Sequence, residues 1–281
     1  MSSPPASAAE RAFWDDAYSN GAYIPGGEAY PAKWAAEAAA FRTAMLAVGR
    51  AEIDQPYGSK PREKFDLFPP DGPPAGVFIF VHGGYWMEFD KSSWSHLAAG
   101  ALAHRWAVAM PSYTLCPDVR ISDITVQIAR AVAAVAERIA GDLVLAGHSA
   151  GGHLVTRLAC ADGHLPASVR TRVRHTVSIS GLHDLRPLLK TTLNDTLRMD
   201  AAEAERESPA LLMPASGTKV TCWVGSRERP EFIRQNALLA NIWSGLGART
   251  AERQAKGLHH YDVIDDLTDP GSALMRALLD A

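Results

Sequence analysis

The pentapeptide Gly-His-Ser-Ala-Gly at residues 147–151 directly follows an apolar run at 143–146 and leaves few folds open to this chain. The pattern Gly-x-Ser-x-Gly is typical of a sharp turn between a buried strand and a helix, where the serine side chain is lifted clear of the backbone. The two glycines supply the small residues that such a strained turn needs. The pattern therefore predicts a strand, a turn and a helix, with Ser149 as a candidate nucleophile.

A second motif stands upstream of this turn. The apolar run at 77–81 is typical of a fully buried strand and continues into His-Gly-Gly-Tyr-Trp at 82–86. Attack by a serine on an acyl carbonyl places negative charge on the carbonyl oxygen, and the N–H groups of a glycine pair can point at that charge without obstruction by side chains. Gly83, Gly84 and Ala150 are therefore the candidate donors of an oxyanion hole.

Two aromatic residues, Tyr85 and Trp86, directly follow the glycine pair. If the glycines bind the oxyanion, these residues lie where the wall of a substrate pocket is expected, which makes them candidate substrate-binding residues. Large aromatic side chains next to the end of a buried strand are just as often part of a protein core. The sequence leaves both interpretations open.

A serine at such a turn works with an acidic residue and a histidine that follow it in the chain. The apolar run at 219–225 predicts a strand, and the loop after it opens a helix at Pro230, a residue type that favours the first helical turn. Glu228 in this loop is the candidate acid. Glu231 competes with it, because the helix dipole favours an acidic residue in the first turn, and Asp184 after the preceding predicted strand is a weaker alternative.

The candidate base is one of two adjacent histidines, His259 and His260, in a loop between the last predicted strand and a closing helix. Spacing alone does not separate the two. His148 and His153 flank the serine and are interpreted as residues that pack or form hydrogen bonds locally. With either histidine as base, the chain order is serine, acid, histidine, as this arrangement requires.

From residue 64 onward, predicted strands alternate with predicted helices. The strands are expected at 65–68, 77–81, 107–110, 143–146, 176–179, 220–224 and 249–254. Helical spacing of apolar residues at 124–139 and the segment 232–243 predict two of the crossovers that parallel strands require. Residues 183–216 are interpreted as helices and loops above the sheet, a small lid at most. The pattern predicts an α/β fold with a mostly parallel sheet, at whose carboxyl edge the motifs converge.

The chain of 281 residues is expected to form a single domain with an N-terminal extension. We predict a helical extension at 1–55, rich in aromatic residues, and a catalytic domain at 56–281. The extension either leans over the active site or covers a sheet edge or a contact between two copies of a homodimer. The sequence favours neither alternative.

Composition and charge narrow the choice of partners. The formal net charge of −3 and the lack of a basic run argue against nucleic acid and favour a small-molecule substrate. The start of the chain lacks a signal-peptide pattern, and no apolar run approaches the roughly 20 residues that cross a bilayer, so no membrane partner is expected. Cys116, Cys160 and Cys222 form no metal-binding or disulfide pattern, and we expect reduced thiols in a cytoplasmic protein.

These motifs resemble those of the α/β-hydrolase type of kynurenine formamidase (arylformamidase), a family related to hormone-sensitive-lipase-like esterases. The resemblance covers most of residues 55–281 and is carried by His-Gly-Gly-Tyr-Trp at 82–86, Gly-His-Ser-Ala-Gly-Gly-His-Leu at 147–154 and Pro-Glu-Phe-x-Arg-Gln at 230–235. It implies an α/β-hydrolase fold, no catalytic metal and no cofactor. Position by position, it implies Ser149 as nucleophile, Glu228 as acid and His260 as base.

One position departs from the family pattern, because these formamidases commonly carry aspartate as the acid, whereas this chain has Glu228. The resemblance implies a serine hydrolase of tryptophan catabolism that cleaves an aryl formamide, such as N-formylkynurenine, to kynurenine and formate through an acyl-enzyme. A carboxylesterase or amidase for short acyl groups would use the same residues. A non-catalytic binding protein of this fold is a third alternative, although such proteins usually lose a member of the triad.

Overall fold

The central element of the computed structural model, which describes residues 7–279, is a sheet of eight strands. In chain order the strands are β1 (Glu52–Pro56), β2 (Lys64–Phe68), β3 (Gly76–Val81), β4 (Ala107–Pro111), β5 (Asp142–His148), β6 (Val173–Ile179), β7 (Lys219–Gly225) and β8 (Arg249–Ala255). Across the sheet their order is β1-β2-β4-β3-β5-β6-β7-β8. The pairs β1–β2 and β2–β4 are antiparallel and the other pairs are parallel. The prediction of a mostly parallel sheet is confirmed.

The edge strand β1 was not predicted. Its residues, Glu-Ile-Asp-Gln-Pro, are mostly polar and only partly buried, so they show neither a continuous apolar run nor a clean alternation. The strand joins the sheet by antiparallel pairing with β2. The domain boundary expected between residues 55 and 56 falls inside β1, and residues 1–6 of the expected extension lie outside the described residues. The predicted strands correspond to β2–β8 with slightly longer bounds.

Helices cover both faces of the sheet. They are α1 (Ala8–Ala17), α2 (Tyr30–Ala47), α3 (Ala99–Ala103), α4 (Ile121–Arg138), α5 (Ala150–Leu158), α6 (Ala167–Arg170), α7 (Asn194–Leu197), α8 (Ala201–Arg206), α9 (Pro230–Gly245) and α10 (Ala273–Leu279). The helices predicted at 124–139 and 232–243 correspond to α4 and α9. Within residues 7–279, no helix is both long enough and apolar enough to cross a membrane.

Side chains of the buried strand β3 alternate between two apolar layers. Val77, Ile79 and Val81 pack in the layer that contains residues of α4 and α5. Phe78 and Phe80 pack in the layer that contains residues of α2 and α10. Every residue of β3 is buried. This double burial explains its continuous apolar sequence, because helices cover both faces of a parallel sheet.

The strands β3, β5, β6 and β7 end side by side. The register pairs Val81 at the end of β3 with Gly147 of β5, and Ile179 at the end of β6 with Trp223 of β7. The loops that follow these strands therefore start from one edge of the sheet, which is where ligands bind in parallel α/β folds. The glycine pair follows β3, the candidate nucleophile follows β5 and the candidate acid follows β7.

The N-terminal segment, defined here as residues 7–50, packs over this edge. Tyr18, next to the end of α1, is buried, and its ring meets the ring of Phe232 of α9 edge-on at 6.0 Å. Asp15 of α1 accepts a hydrogen bond of 2.6 Å from the backbone N–H of Thr192, in the segment of short helices after β6. The N-terminal segment is therefore held to α9 on one side and to the short helices on the other.

Candidate active site

Ser149 occupies the turn between β5 and α5. Its backbone has φ 54° and ψ −117°, a region that a residue other than glycine adopts only under strain. Its N–H donates a hydrogen bond of 2.8 Å to the carbonyl oxygen of Ile179 at the end of β6. At Gly151 a Cβ atom would lie 2.0 Å from the carbonyl oxygen of Val81, so only glycine lets α5 approach β3 this closely. Neighbouring strands thus hold the strained turn that the sequence predicts.

The loop after β3 rests against this turn. Gly83 and Gly84 line the same cavity as Ser149. A Cβ atom on Gly83 would lie 3.0 Å from Cβ of Ser149, so the loop backbone passes directly beside the serine. Ala150 is the first residue of α5, and N–H groups of the first helical turn lack partners within the helix and carry partial positive charge. The loop that carries Gly83 and Gly84 therefore lies beside the serine, and Ala150 directly follows it in the chain.

A histidine fixes the orientation of the glycine loop. Nδ1 of His82 donates a hydrogen bond of 2.7 Å to the carbonyl oxygen of Gly83. Because C=O and N–H of a trans peptide point in opposite directions, this contact turns the N–H of Gly84 away from His82. The His82 ring stacks on Tyr113 with ring centroids 4.4 Å apart, and burial lowers the pKa of His82 to about 4. The ring is therefore neutral at physiological pH and supports the loop.

Glu228 and His260 are in direct contact. Oε2 of Glu228 accepts a hydrogen bond of 2.6 Å from Nδ1 of His260, and both side chains are buried. The other carboxylate oxygen, Oε1, accepts hydrogen bonds from the N–H of Gly225 at 2.8 Å and from Oγ of Ser180 at 2.5 Å. A proton held on Nδ1 leaves Nε2 as the basic nitrogen of the ring. The sequence pattern did not single out Ser180, whose one signal was its position directly after a predicted strand.

The alternative acids have other partners. Glu231 forms an ion pair of 2.7 Å with Arg234 on the same helix and accepts a hydrogen bond from the hydroxyl of Tyr18. Asp184 forms an ion pair of 2.9 Å with Arg186. Both carboxylates thus serve local structure, whereas Glu228 is the one that contacts the histidine.

The alternative base also has a local role. Nδ1 of His259 lies 3.1 Å from Oδ1 of Asp262, and its Nε2 lies 3.3 Å from the hydroxyl of Tyr30 on α2. These contacts tie the histidine loop to the N-terminal segment. Of the adjacent pair, it is His260 that faces Glu228.

A cavity of about 380 Å³ is lined by both Ser149 and His260. The ring of His260 donates a hydrogen bond to Glu228, and its backbone carbonyl oxygen accepts one of 2.9 Å from Nε2 of His148. Burial, followed by the neighbouring charge of His260, holds the pKa of His148 well below its usual range. Between the described side chains of Ser149 and His260 there is no hydrogen bond. Such catalytic contacts are often long before substrate binds and shorten in the complex.

Aromatic rings form much of the cavity wall. Those that line it are Tyr18, Trp34, Tyr85, Phe89, Trp94 and Tyr261. The hydroxyl of Tyr85 donates a hydrogen bond of 2.5 Å to the carbonyl oxygen of Tyr18, which joins the glycine loop to the N-terminal segment. Two of these rings, those of Tyr18 and Trp34, come from that segment, whose place over the cavity was left open by the sequence.

The prediction that Trp86 lines the pocket is wrong. Its side chain is fully buried, meets the ring of His153 edge-on at 5.1 Å and does not line the cavity. Tyr85 and Trp86 have φ of 48° and 59°, and this tight turn directs the first ring to the cavity and the second into the core. Tyr85 therefore forms part of the cavity wall, whereas Trp86 forms part of the core.

Other chemically reactive groups play no visible part in the site. Within residues 7–279, no group of three or more histidine, cysteine, aspartate or glutamate side chains is placed to hold a metal ion. Cys116, Cys160 and Cys222 are buried and free, and burial raises the pKa of each thiol to about 12. Thiols of this kind stay protonated at neutral pH and are poor nucleophiles.

Comparison with known proteins agrees with this geometry. A kynurenine formamidase from Danio rerio is 28% identical over 236 residues, which cover 81% of this chain and 80% of the relative. A solved structure from Silicibacter sp. TM1040, described as a putative thioesterase, is 53% identical, covers 95% of this chain and 98% of its own, and superposes with a TM-score of 0.90. An esterase from Pyrobaculum calidifontis shares the fold at 17% identity, with a TM-score of 0.64 and coverage of 94% and 93%.

The resemblance to formamidases of this fold, inferred from short motifs, is thus confirmed over most of the chain. Residues 78–279 match the family model described as alpha/beta hydrolase family, and this range includes the glycine loop, the serine turn, the acid and the histidine. The fold and the relatives together support hydrolase activity. The chain belongs to the α/β hydrolase family.

Proposed function

We propose that this chain is a serine hydrolase that cleaves a small aryl formamide, such as N-formylkynurenine, with Ser149 as nucleophile, His260 as base and Glu228 as acid. The observation that carries the proposal is the 2.6 Å contact between Glu228 and His260, whose ring lines the cavity that contains Ser149. A serine, a histidine and an acid so arranged in this chain order suit nucleophilic acyl transfer.

The first half of the reaction forms an acyl-enzyme. Nε2 of His260 takes the proton of the Ser149 hydroxyl as its oxygen attacks the formyl carbonyl. The N–H groups of Gly83, Gly84 and Ala150 stabilise the resulting oxyanion, and loss of one such donor typically raises the barrier by roughly 3 kcal/mol. The tetrahedral intermediate collapses, His260 gives its proton to the leaving arylamine, and the formyl group stays on the serine.

The second half releases formate. Water loses a proton to Nε2 of His260 and attacks the formyl-enzyme, and the serine oxygen recovers the proton as formate leaves. Throughout both halves, Glu228 holds the ring by Nδ1 and stabilises its protonated form. The buried contacts of Oε1 leave Oε2 free for this role.

The choice of a formamide is supported by the relatives and by the shape of the site. Relatives from Danio rerio and Salmo salar named kynurenine formamidase align with 81% of the chain. A formyl group is the smallest acyl group, and the cavity that contains Ser149 has a volume of about 380 Å³. The aromatic wall beyond the serine, which includes Tyr85, suits a flat aryl group.

A second candidate function is the hydrolysis of short acyl esters or thioesters. One specific observation favours it, because the solved structure described as a putative thioesterase is 53% identical and covers 95% of this chain. The same three residues would perform the same steps with an alkoxide or thiolate as the leaving group. The candidates therefore differ in the leaving group that the cavity accepts.

The experiment that tests the proposal is a comparison of kcat/KM for N-formyl-L-kynurenine, p-nitrophenyl acetate and S-acetyl-N-acetylcysteamine. Each is measured with the wild-type protein and with Ser149→Ala. Because φ is positive at this position, a second variant, Ser149→Gly, removes the hydroxyl without backbone strain. Thermal unfolding of both variants verifies that they are folded, and a fluorophosphonate probe reports on the reactivity of the serine.

We expect serine-dependent turnover that favours the formamide by at least about tenfold, and labelling of the wild type alone. Preference for the ester or thioester would instead assign the second candidate. Turnover that persists in both folded variants would remove Ser149 from the mechanism. Absence of both turnover and labelling would point to a non-catalytic binding protein.

A further inference from the structure

The wall of the cavity contains a buried side-chain oxygen that has no hydrogen-bond partner in the described part of the chain. Asn20 lines the cavity and is only 7% exposed. It stands directly before the short 3₁₀ helix Gly21–Tyr23, where an asparagine often caps the helix, yet its side chain makes no capping hydrogen bond. Its Oδ1 has no hydrogen-bond partner among residues 7–279. Buried polar atoms are nearly always paired, so this oxygen is a candidate acceptor for a donor group of a ligand.

The charge of the cavity wall has one sign. Its charged carboxylate residues are Asp15 and Glu88, and no lysine or arginine lines it within the described part of the chain. Asp15 is tied to the protein through Oδ1, which accepts from Thr192. Neither carboxylate forms an ion pair with a described residue. A negative wall without a counter-charge attracts a cationic group.

The exposed carboxylate of Glu88 acts on a second residue of the cavity wall. Burial, and after it the negative charge of Glu88, raises the pKa of Tyr261, another lining residue. The hydroxyl of Tyr261 in turn lies beside the backbone of Gly21, since a Cβ atom on Gly21 would be 2.9 Å from it. Gly21, which follows Asn20 in the chain, thus lies beside a phenol on which the charge of Glu88 acts.

We propose that the preferred substrate carries a protonated amine besides its acyl group, and that this ammonium donates to Oδ1 of Asn20 and faces the carboxylates of Asp15 and Glu88. The inference rests on the hydrolytic site of the proposed function and deepens it by naming a recognition element. An ammonium offers several donors and a positive charge, which the unpaired oxygen and the acidic wall together match. Among residues 7–279, no lysine or arginine lines the wall to bind a substrate carboxylate, so we expect a carboxylate to contribute little to binding.

The test uses three 2-formamidophenyl ketones that differ only at the end of the side chain. The first carries an amine, the second carries an amine and a carboxylate as in N-formyl-L-kynurenine, and the third carries a carboxylate alone. kcat/KM is measured for each with the wild type, Asn20→Leu, Asn20→Asp and Glu88→Gln. The control variant is Asn236→Leu, because Asn236 is also buried and unpartnered but lies on α9, outside the cavity wall.

We expect the wild type to prefer both amine-bearing compounds over the carboxylate compound by at least about tenfold, the lower end of what a hydrogen bond to a charged group provides. Asn20→Leu and Glu88→Gln are expected to reduce this ratio, Asn20→Asp to raise it, and Asn236→Leu to leave it unchanged. Because Asn20→Leu and Asn20→Asp are expected to change this ratio in opposite directions, a general loss of folding cannot explain both results. Equal kcat/KM for the three compounds in the wild type would overturn the inference.

A binding measurement keeps the inference separate from the proposed function. Calorimetric titration of the Ser149→Ala variant with the deformylated amine and the deformylated acid requires no turnover. Tighter binding of the amine, by at least about tenfold, supports the ammonium site even if no formamide is hydrolysed. Equal Kd values for the two compounds would overturn it even if formamidase activity is found.

Discussion

The hydroxyl of Ser180 donates a hydrogen bond of 2.5 Å to Oε1 of Glu228, the carboxylate whose other oxygen contacts His260. Ser180 is fully buried and has φ 52°, and its N–H donates to the carbonyl oxygen of Trp223 on the adjacent strand. Ser180, which directly follows β6, therefore positions the side chain of Glu228 in the loop after β7. This support fixes the carboxylate of Glu228 in the position from which it contacts His260.

Replacing Ser180 by alanine is expected to lower kcat by about tenfold or more, because a hydrogen bond to a charged group contributes roughly 1.5–3 kcal/mol. Ser180 does not line the cavity and acts as a positioning residue, so KM should stay within about twofold of the wild-type value. Steady-state kinetics on the best substrate measures both constants. Ser178→Ala is the control, since this serine of the same strand contacts His183 instead. A wild-type kcat in Ser180→Ala would show that the backbone alone positions the acid.

Replacing Glu228 by glutamine is expected to lower kcat by roughly a thousandfold or more, because an amide neither holds the ring in the required tautomer nor stabilises its protonated form. Glu231→Gln is the matched comparison, since this buried carboxylate lies on the next helix and pairs with Arg234. It should retain most of the activity at some cost in stability. Activity and thermal unfolding of the two variants are compared. Equal losses of activity in Glu228→Gln and Glu231→Gln would contradict the assignment of Glu228 as the acid.

Trp86→Phe is expected to leave KM unchanged and to destabilise the fold by about 1–3 kcal/mol, because it removes buried volume from the core. The indole N–H has no hydrogen-bond partner in the described part of the chain, so no such bond is expected to be lost. Tyr85→Phe, by contrast, removes the donor to Tyr18 at the cavity wall and should raise KM. Urea unfolding and kinetics of both variants test this division. A large rise in KM for Trp86→Phe would show that Trp86 contributes to substrate binding after all.

Stability is expected to fall as the pH is lowered below about 6.5. Burial lowers the pKa of His82 and His175 to about 4 and that of His153 and His183 to about 3, whereas an unfolded histidine titrates near 6.5. Between about pH 6.5 and pH 4 the unfolded chain therefore binds more protons than the folded protein, and the free energy of unfolding decreases with falling pH. Each such histidine contributes up to about 1.4 kcal/mol per pH unit.

Urea unfolding between pH 8 and pH 5 measures this dependence. The control is His175→Gln, because His175 bonds to Thr221 between β6 and β7 and lies outside the cavity wall. In this variant the free energy of unfolding should change less steeply with pH, by up to the contribution of one histidine, about 1.4 kcal/mol per pH unit. A free energy of unfolding that is the same at pH 7 and pH 5 would contradict the buried neutral state of these histidines.

Much of the site was predictable because its parts lie in local patterns. The turn at Ser149 needs small residues at fixed spacing, the glycine pair follows a continuous apolar strand, and the order of strands brings both to one edge. The sequence favoured Glu228 over Glu231 as the acid but could not decide between them. The two residues are three positions apart, and both suit the start of a helix. Their contacts with His260 and Arg234 settle which one faces the ring.

The missed features depend on contacts between distant segments. β1 is a polar edge strand whose pairing with β2, not its composition, makes it a strand. Ser180 matters through a carboxylate that lies 48 positions away in the chain. Trp86 was misplaced because two adjacent residues in a left-handed turn face opposite surroundings. Asn20 shows no motif, and only the closure of the N-terminal segment over the cavity makes it notable.

The N-terminal segment and the reactive groups come from separate stretches of the chain. The residues proposed to act on the acyl group all follow strands of the sheet, whereas one wall of the cavity is formed by α1, α2 and the turns between them. Sequence change before residue 50 can therefore alter which compounds are accepted while the hydrolytic chemistry stays intact. Related enzymes are therefore expected to differ first in the substrates that they accept and only later in the reaction that they catalyse.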